Sequence, residues 1–359
     1  MKAVILSGGS GVRLAPLTNT ITKQLLEVAN KPVLFHILDK IKEETDIKEI
    51  CVVVSEDFGN QVKEEILNSS YSKYFTFSFV FQDKPLGLAH AVQITNMHVG
   101  NEPFIMFLGD ILIAKGEVKN AYDQFLKNNP ESLVVLKEVE DPRPYGIAEV
   151  NNGKVIKLVE KPQDPKSNLC LAGIYFFKPS IFYAIVNIKP SYRQELEITD
   201  AVDFQIGQNK IVEYYIIKGY WLDVGTPENM IKANELLLDN IENKTSSKLP
   251  DSVEIKGKAF IEENVEINDT EIVGPVIIGR NTKIKGSKIG PYVSIAKNVS
   301  LVDSCIENSI IREGCKISGK ASVISKSLIG KNVDLVFKGT IDNKKIMYVL
   351  GDNTQCISL

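Results

Sequence analysis

The chain has 359 residues, with 42 Lys and Arg against 45 Asp and Glu, a formal charge of −3, and 44% hydrophobic residues. That composition excludes a chain disordered throughout, and the near-balanced charge leaves no cationic footprint for nucleic acid. The length predicts two or three domains. The five cysteines Cys51, Cys170, Cys305, Cys315 and Cys356 form no CxxC pair. They read as buried or bystander thiols in a reducing compartment, not as a zinc ribbon or redox dithiol. No apolar run approaches a membrane span, and only residues 3–6 are apolar before Ser7, too short for a signal peptide, so the sequence predicts a cytoplasmic protein.

In chain order, buried strands are predicted over 3–6, 50–54, 75–81, 104–108 and 133–136, with helical patterns between them. Val33, Leu34, Ile37, Leu38 and Ile41 share one apolar face, and 57–68 and 115–129 read as further helices. This alternation predicts a doubly wound parallel sheet. Later strands are expected over 147–150, 155–159, 173–177 and 211–217. Thr226 followed by Pro227 marks a helix start, and that helix is expected to end near Leu238. The polar, Ser-containing segment 239–251 reads as a linker.

Beyond it an aliphatic residue recurs every six positions: Ile255, Ile261, Ile267 and Val273; then Ile289, Ile295 and Leu301; then Ile311, Ile317, Val323, Ile329 and Leu335. Gly and Asn lie between them. This period is that of a hexapeptide parallel β-helix over 252–338, with phase slips after Val273, Ile284 and Leu301. Residues 339–359 read as a less regular tail or cap.

The chemistry-bearing stretch is the first strand running into Ser7-Gly8-Gly9-Ser10-Gly11-Val12-Arg13. Glycines let backbone N–H groups approach a polyphosphate, and Arg13 offers a planar fork for its oxygens. Position 14 is Leu, so the loop is not GxGxxG, and no GK[ST] follows. Alone it could be an ordinary tight turn. Lys23-Gln24-Leu25-Leu26 follows ten residues after Arg13, and the two together resemble the signature of the sugar-1-phosphate nucleotidylyltransferases: GGSGVRLAPLT…KQLLEVANKP. PLGLAHAV, LGD, YGIAEV, EKP, SNL, GIYFF, ELEITDA and WLDVGT continue the resemblance in the family's order, and more specifically the chain resembles the long-form glucose-1-phosphate thymidylyltransferases.

The resemblance implies a Rossmann-like doubly wound mixed sheet in a nucleotidyltransferase domain (1–238), followed by a left-handed parallel β-helix. It implies transfer of a nucleotidyl group from dTTP to glucose 1-phosphate, with loss of pyrophosphate. Arg13, Lys23, Asp110 and Asp223 are the implied catalytic residues, with Asp110 and Asp223 holding Mg²⁺. Leu6, Gly8, Gly9, Gly11, Arg13, Gln24, Gln82 and Gly87 fall on the nucleotide side, and Tyr145, Gly146, Glu160, Lys161, Leu171, Tyr175 and Arg193 on the sugar-phosphate side. Taken singly, each Asp would read as a turn residue and each cation as a surface charge.

The implied partners are small-molecule substrates and a homo-oligomer, with neither nucleic acid nor membrane. Two departures bear on the sugar: Ile111 stands where the family carries Asn, and Gln194 where it commonly carries Gly. Use of UTP or of an aminosugar phosphate is the nearest alternative, because one methyl group is worth only ~1–3 kcal/mol in a pocket. An acyltransferase β-helix would need a histidine base, and none follows His98. His36, His90 and His98 read as structural or bystander residues. A non-catalytic regulatory subunit would have lost some of the four catalytic residues. The β-helix is expected to stabilise or oligomerise the chain, and removal of everything after Leu238 to spare the chemistry.

Overall fold

The computed structural model describes residues 1–9, 11–319, 322–338 and 344–358. Ser10 of the Gly-rich loop, and residues 339–343 and 359 of the expected tail, lie outside the described residues. The chain forms two compact units, Met1–Gly9 with Leu34–Asp223, and Ser10–Val33 with Val224–Leu359.

In the first unit, the strands in chain order are β1 (Lys2–Ser7), β2 (Glu49–Ser55), β3 (Thr76–Gln82), β4 (Phe104–Leu108), β5 (Ile111–Ile113), β6 (Ser132–Glu138), β7 (Ile147–Asn151), β8 (Lys154–Val159), β9 (Leu169–Phe177), β10 (Val212–Ile216) and β11 (Trp221–Asp223). Nine of them make one sheet in the order β3-β2-β1-β4-β9-β6-β10-β8-β7, and β5 and β11 form a separate ribbon. β1 is parallel to β2 and β4, and β2 to β3. β9 runs antiparallel to both β4 and β6, so the sheet is mixed where strand–helix alternation alone predicts a parallel one. No helix intervenes from β6 to β9, and without a crossover the chain reverses direction.

Helix α1 (Val33–Glu44) opens at the unit boundary and buries the expected face, with Val33, Leu34, Ile37, Leu38 and Ile41 all shielded from solvent. Helices α2 (Gly59–Asn68), α3 (Leu88–Gln93), α4 (Glu117–Asn128), α5 (Ser180–Val186) and α6 (Ile198–Gly207) cover the sheet's connections.

In the second unit, helix α7 (Pro227–Leu238) starts as its sequence requires: Thr226 Oγ1 accepts the Asn229 N–H at 3.2 Å, with Pro227 in the first turn. The chain then winds through three parallel sheets of seven, six and six strands, a parallel β-helix. Ile255 pairs with Ile272 and Ile272 with Ile289, a coil of 17 residues, whereas Ile306 pairs with Ile324 after 18. Coils shorter than three full hexads account for the phase slips. A short coil places Ile272 inside where the six-residue step points to Val273, and within the full 18-residue coil the strand is offset by one, so that Ile324 is inside and not Val323. Each buried aliphatic residue contributes about 1.5–3 kcal/mol. The corner asparagines Asn264, Asn281, Asn298 and Asn332 have φ of 55–61°, a left-handed conformation that Asn tolerates better than most residues.

Within the segment that reads as a linker, Lys244–Thr245 pairs with Phe260–Ile261, and Asn243 Oδ1 accepts the Ala259 N–H at 3.1 Å. The segment therefore carries the first strand of the β-helix. At the other end Lys345–Ile346, Val349–Leu350 and Gln355–Ser358 extend the three sheets.

Residues 11–33, from the loop after β1 to the first residue of α1, group with this second unit. They run through short turns at Val12–Leu14, Leu17–Asn19 and Lys23–Leu25 into a hairpin of Glu27–Val28 and Lys31–Pro32.

Candidate active site

The order of the sheet creates the site. The chain steps outward from β1 to β2 and β3, then returns to the other side of β1 as β4. The switch point, where open α/β sheets bind ligands beyond their strand ends, is between β1 and β4. Leu6 pairs with Leu108, and Gly109 N donates to Leu6 O at 2.9 Å, so Gly8 and Gly9 leave the sheet beside Asp110. Asp110 is 9% exposed. Ser7 is buried at the same edge, and among the described residues nothing hydrogen-bonds its hydroxyl. In the ribbon, Asp223 on β11 pairs directly with Ile111 on β5, so the two expected metal carboxylates stand one register step apart. Among the described residues no group of three or more His, Cys, Asp or Glu side chains is arranged to hold a metal ion.

Gln82 ends β3 next to Gly8, where a Cβ on Gly8 would lie 3.5 Å from Gln82 Oε1. The other end of the amide, Nε2, is hydrogen-bonded with His90 Nδ1 at 3.0 Å. His90 is thus the structural residue its sequence suggests, with the added task of fixing the Gln82 amide. Gly87 has φ +106°, and a Cβ there would stand 2.4 Å from the Leu196 carbonyl oxygen. Only glycine lets the two backbones meet, and they bond on both sides: Leu196 N to Leu86 O at 2.8 Å and Ala89 N to Leu196 O at 2.9 Å.

Leu196 belongs to the loop of the expected sugar-phosphate residues, which cluster tightly. Leu171 N donates to Gly146 O at 2.8 Å, and Lys161 N to Tyr145 O at 3.2 Å. A Cβ on Gly146 would meet Leu171, Thr199 and Glu160 at 2.8–3.0 Å. Glu160 accepts from Thr199 Oγ1 at 3.2 Å and lies 3.6 Å from Arg193 Nη1 and 3.7 Å from Lys161 Nζ. Burial pushes the Glu160 carboxyl above the usual carboxylate range and the neighbouring Glu197 adds to it, against the pull of Lys161, Thr199 and Arg193. Arg193 is held by three carboxylates: Glu160, Glu195 at 3.3 Å and Glu197 at 3.2 Å. Tyr175 is a core residue stacked on Phe177, its phenol pushed up by burial. Tyr145 packs edge-on against Trp221 at 5.5 Å, and Trp221 Nε1 donates to Ala172 O at 2.8 Å. Trp221 and Asp223 share one face of β11, so this packing ties the sugar-side cluster to the second carboxylate.

The remaining expected residues, Gly11, Arg13, Lys23 and Gln24, belong to the second unit. Gly11 has φ +64°, and a Cβ there would come within 3.0 Å of Thr18 and Lys23 side-chain carbons. Thr18 Oγ1 donates to Gly11 O at 2.9 Å, which closes the 11–18 loop bearing Arg13, and the Lys23 side chain packs against that loop at Gly11. Gln24 is buried and accepts the Thr22 hydroxyl through Oε1.

The model of the nucleotidyl transferase family matches residues 2–240. The chain belongs to the nucleotidyl transferase family. A glucose-1-phosphate thymidylyltransferase of Streptomyces griseus is 38% identical over 99% of both chains, β-helix included. A bifunctional protein GlmU of Methanococcus aeolicus is 33% identical over 97% of this chain and 83% of its own. Among solved structures, a putative glucose-1-phosphate thymidylyltransferase from Bacillus anthracis, in complex with a sucrose, is 33% identical with a TM-score of 0.62. It spans 68% of this chain and 98% of its own.

In this nucleotidyl transferase Glu197, Thr199, Trp221 and His90 also contact the expected site residues, and none of them stands out on its own in the sequence. Glu197 and Thr199 lie in ELEITDA and Trp221 in WLDVGT, the motifs that carry the resemblance. A buried glutamate, 2% exposed, two residues from another acid is the signal available in retrospect.

Proposed function

We propose that the chain transfers a thymidylyl group from dTTP to glucose 1-phosphate, forming dTDP-glucose and pyrophosphate. The observation that carries this reading is the pairing of Asp223 with Ile111. It brings a second carboxylate to Asp110 at the sheet's switch point, in a chain 38% identical from end to end to a named glucose-1-phosphate thymidylyltransferase.

The reaction joins two polyanions, so the obstacle is charge repulsion and no protein nucleophile is required. The sugar 1-phosphate oxygen attacks the α-phosphorus, and the bond to the β-phosphate oxygen breaks. Asp110 and Asp223 suit Mg²⁺, which takes one or two carboxylates and fills its other positions with phosphate oxygens and water. The ion would supply charge neutralisation at the phosphates. Arg13 and Lys23 bind the triphosphate and offset the charge gathering on the leaving pyrophosphate. Gln82, oriented by His90, offers a donor and an acceptor to the base edge, and Gly87 brings the loop backbone to it. Glu160 accepts hydrogen bonds from sugar hydroxyls. Lys161, 39% exposed, remains open to the 1-phosphate, while Arg193 is balanced by three carboxylates and acts chiefly to place Glu160.

The test is pyrophosphate release in Mg²⁺ buffer, crossing dTTP, UTP, GTP, CTP and ATP with the 1-phosphates of glucose, N-acetylglucosamine and mannose. Release with dTTP and glucose 1-phosphate, abolished by EDTA, is expected. Release with no pair would remove the reading. A preference for the aminosugar phosphate would assign the change to Ile111, which is 2% exposed and brings no amide to the pocket.

A further inference from the structure

Among the described residues of the β-helix, Arg312, which follows Ile311 and is only 2% exposed, is the one buried charged side chain. A buried charge is costly to desolvate and adds little net stability even when paired; its better-attested use is to specify one arrangement. Arg312 is paired twice. Its Nη1 lies 2.9 Å from Asp352 Oδ1, and its Nε lies 3.4 Å from Glu27 Oε2. Asp352 also accepts the Lys331 N–H at 2.7 Å through Oδ1 and the Thr20 hydroxyl at 2.8 Å through Oδ2.

Thr20 and Glu27 both belong to residues 11–33, and further links join that segment to the β-helix. Asn30 Nδ2 donates to Ile295 O at 2.6 Å. Asn234 Oδ1 accepts the Ala29 N–H at 2.9 Å while Asn234 Nδ2 donates to Tyr292 O at 3.3 Å. At Gly351 a Cβ would stand 3.0 Å from Pro16 O. Several coils of the β-helix therefore grip the segment that bears Arg13 and Lys23.

We propose that Asp352 and Arg312 are positioning residues for nucleotide binding: through Thr20 and Glu27 they hold the 11–33 segment in the conformation that presents Arg13 and Lys23 to the triphosphate. This assignment rests on the role given to those two cations above. The β-helix is then a working part of the nucleotide site as well as a stabilising appendage.

The experiment compares wild type with Asp352→Asn and Thr20→Val in the full-length protein. The second variant removes one hydroxyl at an exposed position and spares the fold if the first does not. Two quantities are read: the rate of native tryptic cleavage after Arg13 and Lys23, with and without dTTP, and the KM values for dTTP and glucose 1-phosphate. Loss of a hydrogen bond to a charged group is worth about tenfold. Cleavage about tenfold faster, a dTTP KM raised about tenfold and an unchanged glucose 1-phosphate KM are expected. Unchanged cleavage in both variants would overturn the anchoring. Faster cleavage with an unchanged dTTP KM would overturn the positioning role, as would an equal rise in both KM values. A wild type that releases no pyrophosphate would remove the functional reading, and the cleavage rates would still decide the anchoring.

Discussion

Asp223 is the cross-strand partner of Ile111, the residue that follows Asp110. A strand of three residues near the end of the first unit thus delivers a carboxylate beside one fixed by the central strands. Asp223→Asn keeps the shape and the ribbon but removes a charge. Turnover measured by pyrophosphate release is expected to fall at least ~100-fold, the usual loss for one transition-state electrostatic contact. Turnover within threefold of wild type would take Asp223 out of the metal site.

Glu160 exchanges stability for function. Burial, then Glu197, raises its folded pKa above the reference value of 4.5. With a raised folded pKa, its favourable contribution is fully present below the unfolded value and is lost as pH rises through the folded one. At neutral pH the ionised group therefore weighs against the fold. Glu160→Gln is expected to melt at or above the wild-type temperature at pH 7.5, with that advantage gone below about pH 4.5, while the KM for glucose 1-phosphate rises about tenfold. A variant less stable than wild type at pH 7.5 would show the Arg193 and Lys161 pairings outweighing burial.

Gly87 and Leu196 join the base-side loop to the sugar-side loop. Gly87→Ala must place a methyl group 2.4 Å from a backbone oxygen at φ +106°. The strain costs about 2–3 kcal/mol or moves the loops apart. A lowered unfolding midpoint and higher KM values for both substrates are expected, because both loops shift together. An unchanged midpoint would mean that the contact yields without cost.

Much of this was legible because it is local. The Thr226–Pro227 helix start, the apolar face of α1 and the six-residue aliphatic step each depend on neighbouring residues alone. The inward phase of the β-helix was harder: Val273 and Val323 look as apolar as Ile272 and Ile324, and only the pairing with the coil below chooses between them. The mixed sheet turned on β9, whose direction follows from what does not precede it. Least legible was the hold on residues 11–33. Glu27 and Arg312 are 285 residues apart, and two charges in a chain carrying 87 announce nothing. For the same reason, nothing in the sequence foretells the contacts to Ile295, Arg312 and Asp352, and hence the expectation that the chain cut after Leu238 keeps its chemistry; under the proposal above that cut would lower nucleotide affinity.

Gln194 supplies a test of the opposite sign. It occupies a position with φ +62°, between Arg193 and Glu195, where the resemblance calls for glycine. A left-handed conformation costs a side chain about 1–2 kcal/mol, and the greater unfolded-state freedom of glycine returns part of that. Gln194→Gly is therefore expected to raise the unfolding midpoint by the equivalent of up to about 1 kcal/mol. The turn that it relaxes is closed by Gln194 N to Ser191 O at 2.9 Å and Ser191 N to Glu195 O at 2.8 Å, and neither bond uses the Gln194 side chain. The three carboxylates around Arg193 should stay in place, and the KM for glucose 1-phosphate with them. A destabilised variant would show that the Gln194 side chain makes a contribution larger than the strain it carries.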